Sequence, residues 1–159
     1  MGRSRLLRAA ASALTALLLD QLTKLWATSV LPANGGRLVA VPGWLSFSLL
    51  KNSGGTFSLL SNHNLFFAGA SLVVLLAIIV VLVRGYFSNP VSVTALGAVA
   101  GGAAGNLLDR IRLQGVVDFI HLRWWPTYFN LADVAIRVGV LVFLATLVFE
   151  QATRRRRPD

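Results

Sequence analysis

The chain of 159 residues has no cysteine. Disulfides, thiolate nucleophiles and cysteine-held zinc are therefore excluded, and the chain cannot itself be acylated on a cysteine. Acids are almost as scarce. Asp20, Asp109, Asp118, Asp133, Glu150 and Asp159 are all there are, against fifteen Lys and Arg, for a formal net charge of +9. A basic balance can signal a nucleic-acid partner. Here the arginines flank apolar segments, which fits anionic lipid headgroups and topology control instead, so no nucleic acid is expected. His63 and His121 are the two histidines. They lack the H-E-x-x-H spacing and any clear third ligand, so neither a metal nor another cofactor is expected.

What the chain does have is apolar surface. Hydrophobic residues make up 55% of it, more than a soluble core of this size requires, and a membrane class comes first. The length is room for one domain. The opening "MGRSRLLR" followed by "AAASALTALLL" has the basic and apolar regions of a secretory signal peptide. The apolar run continues into "DQLTKLWA" without a small-x-small cleavage site, so a retained first helix is expected. Four segments are expected to span, over about residues 6–27, 64–83, 91–108 and 132–149. Each has roughly the 17–25 residues that a tilted helix needs to cross hydrocarbon.

Arg3, Arg5 and Arg8 precede the first span, Arg84 lies between the second and third, and Arg154 to Arg157 follow the fourth. The positive-inside rule makes all of these cytoplasmic, both termini included. The outer side then holds residues 28–63 and 109–131, and residues 150–159 form a basic cytoplasmic tail. In the first outer segment, Arg37–Val41 and Trp44–Leu50 read as short strands around a Pro42-Gly43 turn. A small sheet with one greasy face follows. In the second, Trp124, Trp125 and Tyr128 have the composition of an interfacial aromatic belt. The expected fold is an all-α membrane protein of four transmembrane helices, with a small extracytoplasmic β-sheet and a loop over the outer face.

On this topology Asp20, Asp109, Asp118 and Asp133 converge on the outer face. An aspartate at the centre of a membrane helix costs roughly 2.5–3.5 kcal/mol, and less near the interface. Capping or pairing suits Asp109 beside Arg110, Asp20 with Lys24 four residues on, and Asp133 in a first helical turn. It does not suit Asp118, which stands in "GVVDFI" with no local basic partner. Asn106 and Arg110 share a face of the third helix, and Asn130 precedes Asp133 by three residues. Arg137, one turn deeper, can pair with Asp133 or snorkel outward. Two close carboxylates cannot both ionise cheaply, so one keeps a proton. The ionised one can deprotonate water while the other donates to a carbonyl oxygen or a leaving amine. That is peptide-bond hydrolysis of the aspartic type.

Other readings are weaker. "SLLK" (Ser48 to Lys51) matches S-x-x-K, a pattern common by chance and here within an expected strand. A small proton-coupled transporter would also hold intramembrane carboxylates, but nearer the midplane. "GGAAG" (Gly101 to Gly105) reads as close helix packing, which does not account for the acids.

Five blocks in order, "DQLTK" (Asp20 to Lys24), "NSGGTF" (Asn52 to Phe57), "GNLLDR" (Gly105 to Arg110), "GVVDF" (Gly115 to Phe119) and "FNLAD" (Phe129 to Asp133), carry a resemblance over nearly the whole length. The chain resembles the lipoprotein signal peptidases, the type II signal peptidases of bacteria. The resemblance implies a metal-free aspartyl endopeptidase of the cytoplasmic (inner) membrane. It implies lipidated prolipoprotein substrates cut before a diacylglyceryl-modified cysteine, and sensitivity to globomycin. Phospholipid is the expected surround, and a monomer the default. Asp118 and Asp133 match the catalytic pair. Asn106, Arg110 and Asn130 match supporting positions, and Asp20, Lys24, Asn52 and Gly54 match further motif positions. Gly55 and Thr56 depart from the small apolar residues usual in the second block. Arg137 matches no motif of the family.

Overall fold

The structure is a computed structural model and describes residues 2–33, 36–54 and 63–155. Along the chain run α1 (Gly2–Ala33), β1 (Arg37–Val41), β2 (Leu45–Asn52), α2 (Asn64–Arg84), α3 (Pro90–Leu113), β3 (Val116–Leu122) and α4 (Leu131–Arg155). All four helices are long and apolar enough to cross a membrane. Gly55, Thr56, most of the stretch between β2 and α2 where a loop over the outer face is expected, and Arg156 and Arg157 lie outside the described residues.

α2 ends one residue past the span expected over about 64–83, and the other three helices run further past theirs. Apolar windows detect only the part of a helix that sits in hydrocarbon, whereas a helix continues wherever its backbone stays bonded. α3 passes Leu108 by five residues, with Arg110 and Arg112 in its last turn, where cations meet the negative end of the helix dipole. Asp109 and Arg110 are thus helical rather than part of an outer segment. At roughly 1.5 Å per residue, α1 extends about 48 Å, more than the ~30 Å hydrocarbon core. Its last turns are therefore free to hold the sheet. Ala27 and Leu31 are fully buried against Leu38, Phe47, Phe119 and Ile120, and Trp26 meets the Phe47 ring edge-on at 5.3 Å.

The sheet is antiparallel in the order β1-β2-β3. Pro42 and Gly43 make the first turn as expected. Gly43 has φ +75° and Trp44 N–H donates to the Val41 carbonyl at 3.0 Å, the geometry of a Pro-Gly type II turn. The expected greasy face, packed against α1, holds only as far as Phe47. A register irregularity between Phe47 and Leu50 breaks it, and Leu49 and Leu50 are left exposed. The third strand was not expected, since residues 116–122 read as loop. Val116, Val117, Asp118 and Phe119 are all buried, so the segment lacks the two-residue polar alternation that announces a half-exposed strand.

α3 is the hub of the bundle. Over its apolar window 56% of residues are buried inside the protein, against 11% for each other helix. Small residues permit this. A Cβ on Gly101 would collide with the backbone carbonyl of Ala13 on α1, and one on Gly102 would sit 2.6 Å from the carbonyl of Ala132 on α4. Close backbone approach of this kind is how membrane helices pack without a hydrophobic drive between them. Gly101→Val should therefore force α1 from α3 and destabilise by at least the roughly 1–3 kcal/mol of core overpacking. Gly69→Ala on α2, where a Cβ meets nothing within 4 Å, should change stability by less than about 0.5 kcal/mol. Thermal unfolding in detergent micelles compares the two.

Candidate active site

The sheet end of the bundle gathers the ends of α1 and α3, the start of α4, and β3. At its centre is Lys24. The buried Lys24 ammonium donates to Asp20 Oδ2 at 2.8 Å and to Asn106 Oδ1 at 3.0 Å, and it pairs with the Asp109 carboxylate at 2.8 Å. The expected Asp20–Lys24 pair is present. The expected Asp109–Arg110 pairing is corrected, because adjacent residues on a helix point to different faces. Asp109 turns to Lys24, and Arg110 turns to α2. Gln21 bridges the two carboxylates from Nε2, at 3.2 Å to Asp20 Oδ2 and 3.2 Å to Asp109 Oδ1. Backbone groups complete the set. Ala132 N–H donates to Asp20 Oδ1 at 2.9 Å, and Val117 N–H to Asp109 Oδ2 at 3.2 Å.

Asn130 connects this base to the two remaining acids. As the cap of α4, its Oδ1 accepts the Asp133 N–H at 2.9 Å, the bond a helix start requires. That leaves its Nδ2 group to donate to Asp118 Oδ1 at 2.7 Å, to the Val117 carbonyl at 3.2 Å and to Asn106 Oδ1 at 3.2 Å. Asn106 in turn donates from Nδ2 to Asp133 Oδ1 at 3.0 Å. Asn52, ending β2, donates to Asp118 Oδ2 at 2.9 Å and accepts the Gly54 N–H at 3.0 Å. Arg110 fixes that turn from the other side. Its Nη2 donates to the Gly54 carbonyl at 3.0 Å, its Nη1 to Asn64 Oδ1 at 3.3 Å, and its guanidinium lies 5.0 Å over the Phe67 ring.

Asp118, set on β3 opposite Leu50, is 2% exposed. Burial pushes its carboxyl up to about 6, and the Asp133 charge adds to the rise; the bonds from Asn52 and Asn130 and the charge of Lys24 oppose it. Asp133 is half-buried. The structure thus brings together every residue that the family resemblance matched: Asp118, Asp133, Asn106, Arg110, Asn130, Asn52, Gly54, Asp20 and Lys24. It adds Gln21, Asp109 and Asn64. Gln21 stood inside a quoted block, but no spacing rule reveals an amide that bridges to another helix. Arg137 does not pair with Asp133. It lies over the rings of Trp125 at 5.6 Å and Phe129 at 5.8 Å. Ser48 donates from its hydroxyl to the Gly36 carbonyl on the sheet, away from any S-x-x-K chemistry. Among the described residues no group of three or more His, Cys, Asp or Glu is arranged to hold a metal ion.

Four spanning helices with a buried polar centre at one end define a multi-pass membrane protein that carries its chemistry at the rim of the bundle. Comparison with known proteins narrows this class. Residues 12–149 match the family model described as signal peptidase (SPase) II. A lipoprotein signal peptidase of Symbiobacterium thermophilum is 35% identical over 143 residues, covering 87% of this chain and 93% of the relative. One of Oleidesulfovibrio alaskensis is 38% identical over 141 residues, covering 82% and 87%. A bacterial membrane enzyme solved by the in meso method at 2.3 Å resolution superposes with a TM-score of 0.83 at 23% identity, covering 95% of this chain and 93% of that one. A second, at 1.9 Å resolution, gives 0.75 at 25% identity. The chain belongs to the signal peptidase II family and is a peptidase. Nothing in these likenesses supports the transporter alternative.

Lys24→Met would strand Asp20 and Asp109 as buried carboxylates without a cation. Removing one partner of a buried ion pair typically costs about 3–5 kcal/mol. Unfolding in detergent should show a loss of that order. Adding Asp20→Asn and Asp109→Asn to the same protein should recover part of it, because the uncompensated charges go with the cation.

Proposed function

We propose that the protein is an intramembrane aspartyl endopeptidase that removes signal peptides from bacterial prolipoproteins, cutting before the diacylglyceryl-modified cysteine. Asp118 and Asp133 are its catalytic pair. The observation that carries the reading is the setting of these carboxylates. Asp118 and Asp133 each accept side-chain amide donors, from Asn52 and Asn130 for the first and Asn106 for the second. Amides fix position without fixing charge, so the pair is free to share one proton.

In the reaction the ionised carboxylate takes a proton from water as the water oxygen bonds to the scissile carbonyl carbon. The protonated carboxyl hydrogen-bonds the carbonyl oxygen as it becomes an oxyanion. Collapse of the tetrahedral species breaks the C–N bond, and the amine leaves with a proton from the dyad. Asn52, Asn106 and Asn130 position the dyad, and Arg110 holds the Gly54 carbonyl. Asp20 and Lys24 hold the helices that present it. The residues form a single membrane peptidase domain in the bacterial cytoplasmic membrane. Both termini are cytoplasmic and the sheet end faces outward, as the arginine distribution indicates. Phospholipid surrounds it, it works as a monomer, and globomycin inhibits it.

Asp118→Asn and Asp133→Asn should each abolish cleavage of a lipidated prolipoprotein while leaving a folded protein in detergent, since a neutral amide can neither take nor give the proton. Turnover near wild type in either variant would refute the assignment. Asn130→Ala leaves buried partners unsatisfied, at about 1–3 kcal/mol, and should slow single-turnover cleavage without abolishing it.

The pH–rate profile should show a limb near pH 6 from Asp118. Asn52 donates to the carboxylate and favours its ionised form, so Asn52→Ala should move that limb to higher pH. The direction is the same whether Asp118 serves as base or acid.

A further inference from the structure

The sheet has a second face. By the strand register, Leu38, Phe47 and Ile120 form one row, and this row packs on α1. The next row, Val39, Ser46 and His121, therefore points away from the helices. A cavity of about 320 Å³ opens over it, lined among others by Arg37, Trp44, Ser46, His121 and Arg123. Nothing in the peptidase chemistry uses this cavity.

Two features make it a built site. Ser46 lines the cavity floor, and its hydroxyl makes no hydrogen bond among the described residues, which leaves it open to a ligand there. The charge is also one-sided. Neither Arg37 nor Arg123 has a carboxylate partner among the described residues, where both ion pairs belong to Lys24. The sequence from residue 28 to residue 63 contains no acid at all. The other ring on this face is occupied, since His121 stacks on Tyr128 at 4.7 Å.

We propose that this cavity binds the phosphate of an anionic phospholipid headgroup. Two guanidinium groups and a hydroxyl are a phosphate-oxygen donor set, and arginine's planar fork matches phosphate geometry. The location selects a lipid over other anions. The sheet joins the ends of α1 and α3 to the starts of α2 and α4, so it sits at one end of four helices long and apolar enough to span. Trp44 at the cavity edge is 65% exposed, as an interfacial anchor would be. A lipid held here would seat the sheet on the membrane surface. The proposal does not depend on the catalytic assignment.

The test uses the full chain in lipid-free detergent, titrated calorimetrically with short-chain phosphatidylglycerol, the matching phosphatidylcholine, and inorganic phosphate. Wild type should bind phosphatidylglycerol at least about tenfold tighter than either alternative. The double variant Arg37→Gln/Arg123→Gln should lose that preference, a tenfold change being within the worth of one charged hydrogen bond. Its unfolding temperature and its cleavage of substrate in lipid-free detergent should stay unchanged. Ser46→Val keeps both arginines, removes the hydroxyl and fills part of the cavity, and should also lose the preference. It carries the test if the double variant fails to fold. An undiminished preference in the folded variants would overturn the proposal. So would equal binding of inorganic phosphate, which would mark a free-anion site. Tighter binding of an acidic peptide added as a fourth titrant would overturn it too, by assigning the face to a protein chain.

Discussion

A buried ammonium holds this protein together. Lys24 sits at the junction of α1 and α3, where it hydrogen-bonds Asp20 and Asn106 and pairs with Asp109. Through Asp20 it reaches the first turn of α4, and through Asp109 the start of β3. Charges removed from water cost several kcal/mol each unless paired and fully bonded. The observed arrangement meets that condition on every side. The cost of failing it makes the junction a strong constraint. Neither helix can rotate or slide without stranding a charge, so the elements that bear Asp118 and Asp133 inherit a fixed relation.

Around that junction the chemistry divides by donor type. Asp20 and Asp109 lie against the Lys24 ammonium. Asp118 and Asp133 are held by side-chain amides, one step further out. A direct arginine or lysine would pull a carboxylate pKa down and fix it ionised. Amide donors oppose the desolvation of Asp118 only in part, and its carboxyl remains up at about 6. Position and charge are thus controlled by different residues. Asn130 shows how tightly the parts are shared. One end of its amide starts α4 and the other holds Asp118, so the helix cap and the site cannot be altered separately.

Much of this was legible in the sequence, and the pattern of what was not has a physical basis. The second span, uncharged and rich in Val, Leu and Ile, declared itself, as did the Pro42-Gly43 turn and the Asp20–Lys24 pair. Each is a local signal, set by periodicity, a fixed φ or a four-residue spacing. The five motif blocks gave the acids and amides of the site. The Asp109–Lys24 bond was hidden because its partners come from different helices, and Arg110, adjacent in sequence, was the obvious wrong partner. β3 was hidden because its first four residues, Val116 to Phe119, are all buried. Arg137 was open between pairing and snorkelling. It rests on Trp125 and Phe129, whose rings are brought beside α4 by the turn after β3. The outward cavity on the sheet follows from pairing register, which no one strand contains.

The depth of the polar network explains why glycine is where it is. In hydrocarbon a polar cluster must be sealed by protein, and the most buried helix is the natural place to assemble it. α3 supplies Asn106, Asp109 and Arg110 from one end and the close-packing glycines from the rest. Gly105 stands at the boundary between the two. A Cβ there would lie 2.5 Å from Asp20 Oδ2, in the space the carboxylate needs to receive both Lys24 and Gln21. Gly105→Ala would therefore add only one methyl group, yet it would push on the acid that anchors α1 to α4. Bulk elsewhere in the seam separates helices, whereas bulk at Gly105 acts on the charge network directly. The small-residue stripe and the acid cluster, which read as separate features in the sequence, are parts of one packing solution.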